Sequence, residues 1–239
     1  MLEAIGLTKI YAGRTPALAG LDLAVPPGEV FCLLGPNGAG KTTTVNLFLD
    51  FIRPTSGKAL VGGVESRLDP RAARRKLAYI PENVMLHGRL TGLENLEYFA
   101  ALASGFRTGR DELASLLRKA GLPDEAIHRR VSTYSKGMRQ KVGVAVALAK
   151  RAQALLLDEP TSGLDPLSAN EFAGLIDELR REGMAILMVT HDLFLAHRCG
   201  DRVGIMIEGR MVHVLEPART DHLGLERAYL EASRKGRVA

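Results

Sequence analysis

The sequence predicts an α/β protein built on a mainly parallel sheet, and three observations support this fold class. An apolar run at 30–34 is followed by a glycine-rich loop and then by a segment with helical character up to residue 51. Apolar runs and amphipathic segments alternate again after residue 151, as in sheets whose strands are joined by helices. Between these two parts, residues 83–150 show helical periodicity alone, which indicates a helical insertion within an α/β core.

The N-terminal quarter of the chain has the pattern of β-structure. Leu21, Leu23 and Val25 alternate with polar or small residues, as expected for a strand with one buried face. The segment Pro26-Pro27-Gly28 predicts a turn, and Val30–Leu34 predicts a fully buried strand. We therefore expect a β-rich region that leads directly into the core sheet.

The loop after the buried strand matches a phosphate-binding pattern without a mismatch. Residues 35–42, Gly-Pro-Asn-Gly-Ala-Gly-Lys-Thr, fit the P-loop pattern G-x-x-x-x-G-K-[ST]. Glycines there let consecutive amide groups and a helix N-terminus face an anion. Lys41 is expected to reach the β- and γ-phosphates of a nucleoside triphosphate, and the Thr42 hydroxyl is expected to ligate Mg²⁺. The other predicted cradle residues are Asn37, Gly38, Ala39, Gly40 and Thr43.

Three helices are predicted in the insertion. The first begins with the capping box Thr91-x-x-Glu94, and its apolar residues recur at helical spacing as far as Leu102. The second is amphipathic and ends at Gly121. The third spans 137–150 and is apolar nearly all round, so we expect it to be buried.

Two acids follow the first strand after the insertion. Ala154–Leu157 predicts a core strand, and Asp158 and Glu159 stand at its C-terminal end, where α/β proteins bind ligands. Asp158 is suited to hold Mg²⁺ through water, and Glu159 is suited to accept a proton from an attacking water. A helix capped by Asp165 is predicted next. Further strands are predicted at 185–190, 203–207 and 211–215.

The composition restricts the class of protein. The 239 residues are 46% hydrophobic, enough for a sizeable core, and no apolar run is long enough to cross a bilayer. No signal peptide is recognisable and the two cysteines have no metal-ligand spacing, so a cytosolic protein is expected. The net charge of +5 permits an anionic partner, but basic and aromatic residues do not interleave, and no nucleic-acid partner is expected.

Taken in order, these motifs resemble the ATP-binding subunit of an ABC transporter over essentially the whole chain. Residues 135–140, Ser-Lys-Gly-Met-Arg-Gln, occupy the place of that family's signature motif, and 162–165 match its D-loop, which ends in Asp165. His191 stands at the position of the switch histidine. The resemblance implies that Tyr11 stacks on adenine and that His191 contacts the γ-phosphate and helps to position the attacking water.

The signature motif also has a physical basis. Ser135 and Gly137 are expected to open a helix, whose free amides and positive dipole end form an anion site. The resemblance implies that this site closes over the ATP of a second copy, so that two nucleotides lie in a head-to-tail dimer. Lys136 is unfavourable at an isolated helix N-terminus, whereas near a γ-phosphate its charge becomes favourable.

The chain departs from the family pattern at two places. Glu82 stands where the family usually has a glutamine that contacts Mg²⁺ and water; it keeps an oxygen ligand but adds a negative charge. In the signature motif, Tyr134, Lys136 and Met138 replace the usual leucine, glycine and glutamine. Both departures resemble the ABC-2 branch, which includes efflux ATPases and ATPases that serve nitrous-oxide-reductase maturation.

The resemblance also implies an architecture and partners. A P-loop NTPase core with an N-terminal antiparallel β subdomain is expected at 1–82 and 151–215, with a helical signature subdomain at 83–150 and a C-terminal tail at 216–239. ATP, Mg²⁺ and a second ATPase subunit are expected partners, and the favoured arrangement is a homodimer. A separate transmembrane permease would dock near 83–103 and hold the protein at the cytoplasmic face of the membrane.

Two other functions remain open from the sequence. A soluble ABC ATPase that acts on ribosomes or DNA would share these motifs, although such proteins usually carry two cassettes or a long coiled-coil insertion. A P-loop GTPase or small-molecule kinase is disfavoured, because no Asn-Lys-x-Asp guanine reader is present and a kinase would not explain the signature motif and the D-loop.

Overall fold

Two sheets organise the computed structural model, which describes residues 1–13, 15–104 and 108–235. The strands are β1 (Leu2–Lys9), β2 (Leu18–Val25), β3 (Val30–Leu34), β4 (Ser56–Val61), β5 (Val64–Glu65), β6 (Leu77–Ile80), β7 (Ala154–Asp158), β8 (Ala185–Thr190), β9 (Arg202–Ile207) and β10 (Arg210–Leu215). The α-helices are α1 (Lys41–Phe48), α2 (Pro70–Lys76), α3 (Gly92–Ser104), α4 (Arg110–Lys119), α5 (Asp124–Ile127), α6 (Lys136–Ala149), α7 (Pro166–Arg181), α8 (Leu193–Cys199) and α9 (His222–Lys235).

The larger sheet confirms the predicted, mainly parallel core. Its strand order is β10-β9-β3-β8-β7-β6, and only the edge strand β10 pairs antiparallel to its neighbour. The strand before the P-loop, β3, lies between β8 and β9, and all five of its residues are buried. A parallel strand covered on both faces must be apolar along its whole length, which explains the continuous apolar run.

The smaller sheet confirms the predicted antiparallel subdomain. Its order is β2-β1-β4-β5, and each neighbouring pair is antiparallel. The alternation seen at Leu21, Leu23 and Val25 corresponds to the buried face of β2.

The larger sheet separates two apolar cores. Because side chains alternate along a strand, Val30, Cys32 and Leu34 of β3 pack into the core that contains α3–α8. Phe31 and Leu33 pack on the other side, with α1 and the antiparallel sheet. The P-loop therefore leaves a strand that is anchored from both faces.

The first helix of the insertion has the predicted capping box, but one of the residues predicted on its apolar face is exposed. The Glu94 carboxylate accepts from the Thr91 amide at 2.8 Å, and the Glu94 amide donates to the Thr91 hydroxyl at 3.2 Å, which confirms the capping box. Leu96 is fully buried, whereas Leu102 is 72% exposed. The inward stripe of α3 runs through Leu93, Leu96 and Ala100, so Leu102 lies on the opposite side.

The C-terminal segment contains a helix where the sequence predicted no element. Helix α9 packs against α8 and the β9–β10 hairpin, with Leu225 and Ala232 buried. Residues 236–239, the end of the predicted tail, lie outside the described residues.

Within the described ranges, no helix combines the length and the apolar character needed to cross a bilayer.

Candidate functional site

The predicted phosphate cradle, the two acids after β7 and His191 lie at one edge of the larger sheet. Leu34, the last residue of β3, pairs with Thr190 at the end of β8, and Asp158 at the end of β7 pairs with Val189. Parallel strands bring their carboxyl ends to the same edge. The glycine loop, the two acids and His191 therefore meet there.

A cavity of about 520 Å³ opens at this edge. Every residue predicted to form the phosphate cradle lines it, together with the three predicted acids. The lining consists of Ala17, Pro36, Asn37, Gly38, Ala39, Gly40, Lys41, Thr42, Thr43, Glu82, Asp158 and Glu159. Ala17 was not predicted, because it lies in the connection before β2 and carries no polar group.

Glycine is required at two loop positions for different steric reasons. A Cβ on Gly35 would lie 2.4 Å from the Met206 carbonyl oxygen, too close for any side chain. At Gly40 the backbone is left-handed, with φ 105°, and a Cβ would lie 2.5 Å from the Ala17 carbonyl oxygen. Gly40 is also the N-cap of α1 and supplies no side-chain cap, so the first amides of that helix stay available to an anion.

We expect Gly35→Ala to lower the free energy of unfolding by about 1–3 kcal/mol, because the added methyl group must displace β9 or the loop. Thermal unfolding of the nucleotide-free protein measures this loss. The matched control is Gly174→Ala in α7, where a Cβ meets no atom within 4 Å. That change should raise stability by about 0.5–1 kcal/mol, since alanine is the better helix former. Equal stability of the two variants would contradict the steric argument.

Lys41 is folded back onto the loop that it follows. Its ammonium donates to the Gly35 carbonyl at 2.5 Å and to the Pro36 carbonyl at 3.1 Å. Burial lowers the pKa of Lys41 below its ordinary value, although the negative charges of Glu159 and Asp158 act in the other direction. The two carbonyls thus hold the ammonium at the cradle before any phosphate arrives.

Asp158 is a half-buried carboxylate next to a second acid. Burial raises its pKa above the ordinary value, and the negative charges of Glu159 and Glu82 act in the same direction. The Tyr79 hydroxyl donates to Oδ2 of Asp158 at 3.4 Å, and burial raises the pKa of Tyr79 to about 12. A nearby cation would stabilise the charged form of a carboxylate in this setting.

Glu159 is held in a strained backbone conformation. Its φ is +46°, a left-handed value that costs a residue with a side chain about 1–3 kcal/mol. One carboxylate oxygen, Oε1, lies 2.8 Å from Nδ1 of His191, and the other accepts from the Thr190 hydroxyl at 3.2 Å. The neighbouring strand end thus fixes the carboxylate, while the His191 side chain stays largely exposed.

The signature motif and the D-loop of the same chain both contact Glu82. Its Oε1 accepts from the Ser162 hydroxyl of the D-loop at 2.9 Å and lies 3.5 Å from Nζ of Lys136. The buried amide of Gln140 donates to the carbonyls of Pro81 and Glu82, at 3.2 and 3.0 Å. Neither Ser162 nor Gln140 was assigned a contact from sequence, since both partners are remote along the chain.

The predicted signature and D-loop residues begin helices. Ser135 caps α6 by accepting from the Met138 amide at 3.2 Å, and Gly137 lies in the first turn. Asp165 caps α7 and accepts from the amide and hydroxyl of Ser168. The Ser168 hydrogen bonds hold the pKa of Asp165 below its ordinary value. Among the described residues, the cavity lining includes none of these three.

Tyr11 lies in the loop after β1, outside the lining of the cavity, and Nζ of Lys9 is 4.9 Å from the centre of its ring. The structure thus does not bring this residue to the phosphate cradle, and adenine stacking on Tyr11 stays a prediction.

The oxygens around the cavity suit a hard divalent cation. Thr42 offers a hydroxyl, and Glu82 and Asp158 offer carboxylates, which are the ligand types that Mg²⁺ prefers. The described part of the chain contains no group of three His, Cys, Asp or Glu side chains placed to hold a metal ion. One hydroxyl and two carboxylates are a suitable protein contribution for Mg²⁺, because this ion usually keeps waters and takes further oxygens from a substrate phosphate.

Comparison with known proteins identifies the family. The family described as ABC transporter matches residues 18–162, more than half of the chain. The daunorubicin/doxorubicin resistance ATP-binding protein DrrA of Streptomyces peucetius is 37% identical over 88% of this chain. A fluoroquinolones export ATP-binding protein of Mycobacterium tuberculosis is 38% identical over 89%. The chain spans 64% of the first relative's length and 69% of the second's.

Solved structures agree with the sequence comparison. The ATP-binding subunit of an ABC transporter superimposes with a TM-score of 0.84 and 31% identity, covering 98% of this chain and 99% of the other. A bacterial ABC transporter cassette solved as a dimer gives a TM-score of 0.79 and 26% identity, over 91% of this chain and 99% of that one.

Proposed function

This chain belongs to the ABC transporter family, and we propose that it is an ATP-hydrolysing subunit that powers an exporter by acting on a separate transmembrane permease. The observation that carries this proposal is the cavity in which the P-loop, Asp158 and Glu159 meet. An exporter is the natural assignment, because both relatives described above are named for drug resistance or drug export.

In the proposed reaction, the triphosphate of ATP lies in the P-loop. The amides at the start of α1 and the ammonium of Lys41 bind its β- and γ-phosphate oxygens. Lys41 exchanges its two carbonyl partners for phosphate oxygens. This exchange is favourable because hydrogen bonds to charged groups are stronger than those to neutral ones. Thr42, Glu82 and Asp158 would hold Mg²⁺, which would supply positive charge to offset that of the phosphates.

Glu159 is the proposed general base. Its Oε1 is paired with His191, and Thr190 holds the other oxygen, so the carboxylate has a fixed direction in the cavity. It takes the proton of the attacking water, while His191 contacts the γ-phosphate and keeps Glu159 in place. Positioning and electrostatic stabilisation account for most of the catalysis of phosphoryl transfer.

A second subunit would complete the site. Ser135 caps α6 outside the cavity of its own chain and is exposed, whereas Gly137 in the first turn is buried, so the part of this helix N-terminus at Ser135 is available to another copy. We infer that two copies bind head to tail, with each signature helix covering the γ-phosphate of the other. The D-loop with Asp165 would lie at the same interface, and loss of the γ-phosphate would release the two copies.

The segment 83–103 is the proposed docking region for the permease. Met85 is 81% exposed, and Tyr98 and Leu102 are also exposed large apolar residues. They belong to the helical segment 83–150, which is joined to Glu82 through α6. A movement of Glu82 on nucleotide binding would reach this surface. The protein would then lie at the cytoplasmic face of a membrane.

Sedimentation of the Glu159→Gln variant tests the shared site. With ATP and Mg²⁺, we expect a dimer that holds two ATP molecules, because slowed hydrolysis leaves both γ-phosphates in place. With ADP in place of ATP, the same protein should sediment as a monomer. A protein that stays monomeric with ATP bound to saturation would contradict the head-to-tail arrangement.

A further inference from the structure

The cavity that should receive a polyanion is lined by more acids than bases. Its lining contains three acids, Glu82, Asp158 and Glu159. Among the described lining residues it contains one lysine, Lys41. Lys136 contacts this lining from outside the cavity, because its ammonium lies 3.5 Å from Oε1 of Glu82. Lys136 thus places a further positive charge beside the cluster of acids.

Both the backbone and the side chain of Lys136 are held in place by their surroundings. Its backbone forms the first residue of α6, where a positive charge opposes the helix dipole, so an acidic partner is favourable. Its side chain runs beside Gly163 of the D-loop, where a Cβ on the glycine would lie 3.9 Å from Nζ. The side chains of Lys136 and Glu82 are 28% and 47% exposed, so the pair is only partly screened by water.

Helix α6 also holds the backbone of Glu82, the acidic partner of Lys136. Gln140 donates to the carbonyls of Pro81 and Glu82, and the Ser162 hydroxyl donates to the same Glu82 oxygen that faces Lys136. The carboxylate of Glu82 is therefore engaged by two groups of its own subunit. A cation that binds Oε1 of Glu82 must therefore displace them.

We propose that Lys136 is a positioning residue that competes with Mg²⁺ for Glu82 and thereby weakens the dependence of ATP binding on the divalent cation. The inference rests on the proposed function, in which ATP and Mg²⁺ bind in this cavity. When the cation takes Glu82, the ammonium of Lys136 is released. It is then free to approach the nucleotide of the second subunit.

The test is the ratio of two dissociation constants for a fluorescent ATP analogue, one measured in EDTA and one in Mg²⁺, at protein concentrations where the protein is monomeric. Because the analogue binds Mg²⁺ in solution, this ratio equals, by linkage, the factor by which the protein tightens the binding of Mg²⁺ to the nucleotide. Direct effects of a substituted charge on the nucleotide alone cancel in the ratio.

We expect Lys136→Gln to raise the ratio by about two- to fivefold, which is the range for a partly exposed ion pair. Glu82→Gln should lower the ratio, and adding Lys136→Gln to Glu82→Gln should change nothing further. Lys136→Arg should restore the wild-type ratio, because it keeps the charge. The matched control is Lys141→Gln, which removes the same charge from the same helix but breaks an ion pair with Glu171.

Two results would overturn the inference without affecting the proposed function. One is an unchanged ratio in Lys136→Gln; the other is an equal increase with glutamate or glutamine at 82, which would mean that Lys136 acts without Glu82. If the wild-type protein bound no ATP analogue in either condition, the proposed function itself would fail. Thermal unfolding of each variant verifies that it is folded.

Discussion

Replacing Glu159 by glutamine is expected to lower the rate of ATP hydrolysis by at least about a hundredfold, the usual contribution of a general base. An amide has nearly the same shape as the carboxylate and can still bond to Thr190 and His191, but it cannot take a proton from water. ATP affinity should stay close to the wild-type value. Steady-state hydrolysis and equilibrium ATP binding, measured on the same preparation, separate the two effects.

The matched control for this prediction is Glu171→Gln. It makes the same chemical change on α7, where Glu171 pairs with Lys141 and lines no part of the cavity. Its turnover should equal that of the wild type. Hydrolysis by Glu159→Gln at the wild-type rate would show that Glu159 is not the base.

Replacing Lys41 by alanine is expected to weaken ATP binding by about ten- to a hundredfold. This range corresponds to the loss of one hydrogen bond between charged groups, about 1.5–3 kcal/mol. The variant also loses the bonds from Nζ to the Gly35 and Pro36 carbonyls, so the loop itself becomes less ordered. Calorimetric titration with ATP and Mg²⁺ measures the change.

Lys150 provides the matched control for Lys41. It is also a lysine whose pKa is lowered by burial, and its ammonium donates to a backbone carbonyl, that of Leu77, at 2.7 Å. It does not line the cavity. Lys150→Ala should therefore reduce stability without reducing ATP affinity. Equal losses of ATP affinity in the two variants would mean that Lys41 acts only on folding.

The sequence predicted those features that depend on local spacing or on strand order. The P-loop is contiguous, so its pattern locates the whole phosphate cradle. The acids at 158 and 159 and His191 follow buried strands, and parallel strands end at one edge. The capping residues Thr91, Ser135 and Asp165 each accept from an amide three positions further along the chain. Short-range chemistry of this kind can be inferred from the residues alone.

Features that depend on packing could not be predicted. The contact of Lys136 with Glu82 joins residues 54 positions apart, and no periodicity indicates it. The left-handed backbone of Glu159 is imposed by the strand end that surrounds it, since glutamate has no preference for this conformation. Helix α9 has a capping residue, Asp221, whose side chain accepts from the Gly224 amide, but its place in the fold is set by packing against α8 and the last hairpin.

The surface proposed for the permease can be tested with paired substitutions. Met85→Asp together with Leu102→Asp places two charges on the exposed part of 83–103 without disturbing a buried contact. We expect this variant to bind ATP normally and to lose the membrane partner. Leu223→Asp changes an exposed apolar residue on α9 and should keep the partner.

The most direct measurement is copurification of tagged Glu159→Gln protein from detergent-solubilised source membranes in ATP and Mg²⁺. We expect a membrane protein with several spanning segments to be retained, and to be lost when Met85 and Leu102 are changed to aspartate. Recovery of ribosomal or DNA-associated proteins, with no membrane protein among them, would contradict the assignment to a transporter while leaving the ATPase chemistry in place.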